Sequence, residues 1–343
     1  LKKIIHITLL LLFPLFGLKA QYIFNQKTDS LILSGIHQNF ACQFDSASQT
    51  FQHLVDSMPN HPVGYFHQAV VLQSKMLDLE TDLWESDFFR LLEKTITLSQ
   101  KQSDNADEPW LLYYTGSAYC CKGLYQAQKG SYLSGYLSAR KGTKFLKKAV
   151  DQDATLYDVY LLLGGYYYWS GRFSKFIRWL PFVGDKRDEG IEMLQLAVEK
   201  SAFSHWPAVE NLAWVEYDRK NFQTALYLFK KGLNQFPQSR FYLWGTADSY
   251  FRLGDYQRAA YLYESLLRIV MELPFNNGYN EIVCRFKLVK TYHEFQQFEK
   301  ALHHCQQILK KKLEPDIQKR VQERREETAK YIAHIHKMLQ ENE

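Results

Sequence analysis

Proline and glycine are scarce in this chain of 343 residues, which contains 9 and 17 of them. With so few breakers and an aromatic share of 15%, the composition excludes a turn-rich architecture. It predicts a mostly helical chain whose bulky side chains fill the spaces between helices. Cysteine is scarce too. Cys42, Cys120, Cys121, Cys284 and Cys305 are too few and too scattered for a disulfide framework, and none forms a C-x-x-C pair. Buried small residues are the role they predict. Signatures of catalysis are missing: there is no Gly-rich phosphate loop, H-E-x-x-H, G-x-S-x-G or paired C-x-x-C motif. His303-His304-Cys305 does not replace them, because adjacent helical residues point about 100° apart and cannot converge on one ion. His334 and His336 diverge likewise, and His293-Glu294 reads as a pair at a helix end. No enzyme, metal or cofactor is expected.

Charge of one sign is also lacking. The formal net charge is +5, and residues 1–20, which hold Lys2, Lys3, Lys19 and no acid, account for all but +2 of it. That balance makes no electrostatic case for nucleic acid. The basic run Lys310–Lys312 with Lys319, Arg320, Arg324 and Arg325 is interleaved with Glu314, Asp316, Glu323, Glu326 and Glu327. A solvated terminal helix explains it. The only long apolar run is Ile4 to Leu18, preceded by Lys2-Lys3, broken by Pro14 and Gly17 and followed by Ala20. A membrane span needs about 20 residues, so residues 1–20 read as an export signal cut before Gln21. An uncleaved anchor is the alternative. The expectation is an exported protein, periplasmic or envelope-associated in a bacterium.

What is present is a repeat. Ala225 and Ala259 stand 34 residues apart, each with an aromatic residue four positions later, Phe229 and Tyr263. Around them recur Phe222, Gly232 and Pro237, then Tyr250, Gly254 and Tyr256. Such a period marks a helix–turn–helix unit that cannot bury its own apolar face and must stack on its neighbours. The small residue belongs where the two helices cross, and large residues three and four positions away plug the gaps beside it. Residues 28–61, 206–239 and 240–273 fit this pattern, as do 282–315 after an insertion near Leu273–Asn280. Residues 62–101 read as a degenerate helix pair. Residues 109–155 and 157–204 read as pairs with roughly 14 residues inserted between their helices. Residues 316–341 form a capping helix, apolar at Ile317, Val321, Ala329, Ile332 and Leu339.

On these residues the chain resembles the tetratricopeptide-repeat family over nearly all of its length after residue 20, weakly at 62–204. The tryptophan typical of the first helix is mostly replaced, by Leu31, Val209 and Leu243. The resemblance implies an all-α, right-handed solenoid of about seven helix pairs with a C-terminal capping helix. It further implies a concave groove, lined by the first helix of each pair, that binds proteins or peptides. Extrapolating the family's groove-facing positions places Tyr168, Trp169, Trp214, Tyr217, Trp244, Asp248, Arg252, Lys290 and His293 on that side. The alternative for these aromatics is packing between units, and Tyr167 is expected in the core. Gly171–Gly190 also looks like a segment of a eukaryotic tetratricopeptide group tied to the mitochondrial outer membrane and inclusion clearance.

The expected function is a non-catalytic, exported repeat scaffold holding a protein or peptide partner in its groove. A second reading is a peripheral membrane component attached through residues 173–183, where Phe173, Phe176, Trp179 and Phe182 accompany Lys175 and Arg178. A third is a glycan binder or a repeat-borne enzyme.

Overall fold

In the computed structural model, residues 24–103, 108–173 and 185–341 are described. The expected export signal and the 173–183 segment, apart from Phe173, lie outside them, as does most of the resemblance at 171–190. The described residues form helices joined by short turns, with no strand among them. The pairs are α1 (Gln26–Phe40) with α2 (Phe44–Ser57), α3 (Pro62–Leu79) with α4 (Glu85–Ser103), and α5 (Pro109–Gln128) with α6 (Tyr132–Gln152). Next come α7 (Val159–Phe173) with α8 (Arg187–Lys200), and α9 (His205–Asp218) with α10 (Phe222–Gln235). The series ends with α11 (Arg240–Arg252) and α12 (Tyr256–Glu272), α13 (Tyr279–Glu294) and α14 (Phe298–Lys310), and the single α15 (Pro315–Glu341). None of these helices is long and apolar enough to cross a membrane.

The turn inside a pair is made the same way six times. One residue adopts the left-handed conformation: Cys42, Glu80, Gly130, Lys220, Gly254 and Gln296, with φ of 58°, 53°, 79°, 66°, 80° and 57°. The amide of the following residue then donates to a carbonyl five positions back, as Asn221 does to Glu216 and Gln297 to Tyr292, at 2.9 and 2.8 Å. This satisfies carbonyls that the end of the first helix would leave orphaned and reverses the chain.

Where paired helices cross, the small residues expected there, Ala47, Ala225, Ala259 and Ala301, are fully buried. The central pairs use glycine instead, and their backbones come closer. A Cβ on Gly142 would lie 2.5 Å from the Gly116 carbonyl oxygen, and one on Gly164 would lie 2.6 Å from that of Gly190. The insertion expected between the helices of 109–155 is not a loop. The extra residues lengthen α5 and α6 themselves, to 20 and 21 residues, and only Lys129–Ser131 separate them. A second glycine pair, Gly123 and Gly135, continues the close approach into the extension.

The capping helix α15 packs on both α13 and α14. Its buried face is Ile317, Val321, Thr328 and Ile335. Of the apolar positions expected on that face, Ala329 and Leu339 are exposed. Spacings of about seven residues carry the inward stripe from Val321 to Thr328 to Ile335, a pattern that a polar residue interrupts and conceals.

The superhelix also turns back on itself. Phe40, at the end of α1, lies 5.8 Å from the rings of Phe236 and Tyr242 and 6.2 Å from Phe241, beside the turn into α11. Arg240 at the start of α11 grips Asp78 at the end of α3 through two nitrogens, at 2.6–2.9 Å, and both side chains are buried. Asn280 donates to the Asp78 carbonyl and Asn277 to that of Glu80, at 2.7 and 2.8 Å. Arg320 of α15 reaches the Glu80 carboxylate. The first two pairs are thereby fastened to the last three.

Candidate functional site

Because the superhelix closes, the first helices of successive pairs converge near its axis. A cavity of about 150 Å³ lies there. It is lined by Ile36 of α1, Val70 of α3, Tyr113 of α5, Leu161 and Leu162 of α7, and Phe203 and Pro207 at the start of α9. Its walls are mostly aliphatic and aromatic. His67 among them is fully buried and kept neutral, its pKa lowered to about 3 by desolvation. The N-terminal half of the concave side is therefore filled core around a small cavity, where the sequence predicts an open groove.

Beyond Pro207 the concave side continues along α9 and α11, and the residues expected to line it divide into three groups. Tyr168 is corrected to core: it is 1% exposed, and its hydroxyl donates to Asp218 at 2.8 Å. That burial follows from α7 packing against α9, with Arg172 closing over the same carboxylate at 2.8 Å. Tyr167 is buried as well. Lys290 and His293 belong to the cap contact. Lys290 pairs with Glu327 of α15 at 2.9 Å, and the His293 ring lies 5.2 Å from both Tyr331 and His334. The capping helix covers this end of α13, so neither residue faces an open groove.

The remaining group lies on α7, α9 and α11, and all of it but Arg252 is partly buried. Trp169 donates to Asn211 at 3.4 Å. Trp214 packs on Phe229 at 4.9 Å and on Tyr217 at 5.7 Å, and Trp244 lies 6.3 Å from Tyr263. Each of these two tryptophans thus leans on the second helix of its own pair and shows only part of its ring. Asp248 is occupied, bonded to Lys287 at 2.8 Å and to the Tyr263 hydroxyl. Arg252 is exposed, with its guanidinium 4.6 Å from the ring of Phe222. It covers that ring and does not flank Trp244 as an anion clamp.

Sequence reasoning missed Glu210. It lies one turn past Pro207, and its Oε1 accepts from the Trp214 indole at 3.0 Å. No cation pairs with it among the described residues. Burial pushes its carboxyl up to about 7, against the smaller opposing effect of the Trp214 hydrogen bond. Its position three residues after Pro207 and four before Trp214, on one helical face, is the signal that was available.

Other polar clusters are structural. Glu264 accepts from Tyr292 at 3.1 Å and lies 3.2 Å from His304 Nε2; the His304 hydrogen bond holds its carboxyl below the ordinary range. Among the described residues no three His, Cys, Asp or Glu side chains gather as metal ligands. The cysteines are unpaired, and burial raises each thiol, Cys42 and Cys305 to about 11 and Cys121 to about 12. They are poor nucleophiles at neutral pH.

Comparison with known proteins agrees with this architecture. Residues 242–269 match the model of the tetratricopeptide repeat. The APC/C hetero-tetramer Cut9–Hcn1 superposes with a TM-score of 0.53 at 14% identity, over 83% of this chain and 47% of that one. This chain thus spans about half the length of that relative. The C-terminal part of a repeat-containing protein from Cytophaga hutchinsonii gives a TM-score of 0.39 at 18% identity, covering 82% and 93%. A Rap protein complexed with competence and sporulation factor gives 0.47 at 13%, covering 91% and 80%. No curated protein matches the chain in sequence. Residues 242–269 thus carry a tetratricopeptide repeat, and the described residues form an all-α solenoid of stacked helix pairs.

Proposed function

We propose that this protein is a non-catalytic scaffold, exported to the bacterial envelope, that holds an extended peptide segment of a partner along α9 and α11. The observation that carries the reading is Glu210: a half-buried carboxyl without a cationic partner among the described residues, set beside the partly exposed ring of Trp214. Tyr217 and Trp244 extend the apolar strip. Aromatic side chains give large contact area with few rotamers to freeze, and a carboxyl in a low-dielectric setting accepts strongly from a peptide amide or a basic side chain. The polar groups of Asp218 and Asp248 are already satisfied internally. Specificity then falls on Glu210, and the favoured partner residue is a hydrogen-bond donor flanked by apolar ones.

Photo-crosslinking in native envelopes tests this. A photoreactive residue at Tyr217 should capture one partner, and capture should fall by about tenfold in Glu210→Ala. The same residue at Tyr227 or Tyr261, exposed on second helices, should capture nothing. Equal capture from both sides of the solenoid would refute groove binding.

A further inference from the structure

The hairpin α5–α6 has a surface that the scaffold reading does not use. Its extension carries the most exposed cluster of large apolar side chains in the described chain: Tyr132 at 74%, Leu133 at 73%, Leu137 at 54% and, on α5, Leu124 at 51%. No Asp or Glu occurs anywhere from Pro109 to Val150, whereas Lys122, Lys129, Arg140, Lys141, Lys144, Lys147 and Lys148 do. At 100° per residue, Leu133, Leu137, Arg140, Lys141, Lys144, Lys147 and Lys148 all fall on one side of α6. The opposite side, with Gly135, Gly142, Leu146 and Ala149, is the one buried against α5. No carboxylate pairs with Arg140, Lys141, Lys144, Lys147 or Lys148 among the described residues, whereas Lys129 is bridged to Asp82.

We infer that this face of α6 docks on an anionic membrane surface. Its leucines enter the boundary between headgroups and acyl chains, and its lysines lie among the lipid phosphates. The arrangement has both elements that surface attachment requires, exposed apolar area and an uncompensated basic face, and neither alone suffices. Nucleic acid would meet the charge but leave Leu133 and Leu137 in water, so the apolar tip selects the membrane. The glycine contacts hold α6 close against α5 along the hairpin, and the basic and apolar side chains share the other side of α6. None of these side chains belongs to α9 or α11, which stay free for a partner.

Full-length protein should float with phosphatidylcholine vesicles containing phosphatidylglycerol far more than with phosphatidylcholine alone. The difference should shrink in high salt, as screening predicts. Leu133→Asp with Leu137→Asp, and separately Lys144→Glu with Lys148→Glu, should each weaken binding to anionic vesicles by at least about tenfold. Their melting temperatures should stay unchanged, since all four side chains are exposed. Because the apolar run near the N-terminus could itself enter lipid, a local readout is needed. An environment-sensitive dye on Leu133→Cys should shift to the blue on anionic vesicles only. An unshifted dye, variants that float like the parent, or equal flotation with neutral vesicles would overturn the inference. So would nucleic-acid binding that Lys144→Glu with Lys148→Glu abolishes and Leu133→Asp with Leu137→Asp leaves intact.

Discussion

Replacing Arg240 with methionine tests whether the solenoid is held closed by the ion pair between its two ends. Arg240 and Asp78 are 9% and 3% exposed, and the guanidinium binds both carboxylate oxygens. With the arginine gone, Asp78 would be left charged in a site from which water is largely excluded. Breaking one side of such a pair costs about 3–5 kcal/mol, a large share of the roughly 5–15 kcal/mol that holds a domain folded. Replacing both residues, Asp78→Leu with Arg240→Met, removes the desolvation penalty along with the attraction and should end within about 2 kcal/mol of the parent. The Asn280 contact to the Asp78 carbonyl survives in every variant, because it is a main-chain acceptor. Urea melts give the energies, and small-angle scattering reports whether the ends separate. If Arg240→Met costs under about 1 kcal/mol, or the double variant costs the sum of the singles, the pair does not hold the solenoid closed.

Four further outcomes follow from the same geometry. Gly142→Ala should destabilise by roughly 1–3 kcal/mol in thermal melts, since its Cβ would meet the Gly116 carbonyl at 2.5 Å and Cys120 Sγ at 2.7 Å; a neutral result would mean that the helices separate freely. Ala259→Leu should cost a similar roughly 1–3 kcal/mol by overpacking a helix crossing, whereas Gln257→Leu on the exposed side of α12 should change stability by under about 0.5 kcal/mol. Equal effects would put the pairing out of register. Burial lifts the Glu210 carboxyl from 4.5 to about 7, so between those values the folded chain holds a proton that the unfolded chain has released. Stability should therefore fall as pH rises through that window, and Glu210→Gln, unchanged at pH 4, should be more stable than the parent at pH 8 by on the order of 1–3 kcal/mol. Mass spectrometry of the native protein should find Gln21 at its N-terminus, and an intact residue 1 in the membrane fraction would refute export with cleavage.

The class of fold was legible because the constraint behind it is local. A close helix crossing admits only a small side chain, so Ala225 and Ala259 recur with the period of the unit, and the same demand reveals Ala47 and Ala301. Where glycine takes that place, at Gly116, Gly142, Gly164 and Gly190, the crossing is still readable, but the length of the unit is not. Extra residues that continue a helix look the same in sequence as residues inserted in a loop. That ambiguity hid the elongation of α5 and α6. The closure was illegible for a different reason. Asp78 and Arg240 are 162 residues apart, and each alone reads as a surface charge at a helix end.

The candidate site fails to be legible in the same way. The family's groove positions say which side of a first helix turns inward, but not what meets it there. At Tyr168 the neighbouring helix fills the space, at Lys290 and His293 the capping helix does, and at Asp248 a lysine from the next pair arrives first. What remains open is set by superhelical closure, a property of all the pairs together. Closure concentrates the accessible concave surface on α9 and α11, just where Glu210 lacks a cationic partner. It also turns α6 outward, with its basic and apolar side unmatched by any carboxylate of the described chain. A partner held along α9 and α11 and a membrane met by α6 use different helices, so the two can be engaged together. Peptide binding unaffected by vesicles in the parent chain, and unaffected by Leu133→Asp with Leu137→Asp, is what that separation demands. Competition between the two would mean that they share a surface.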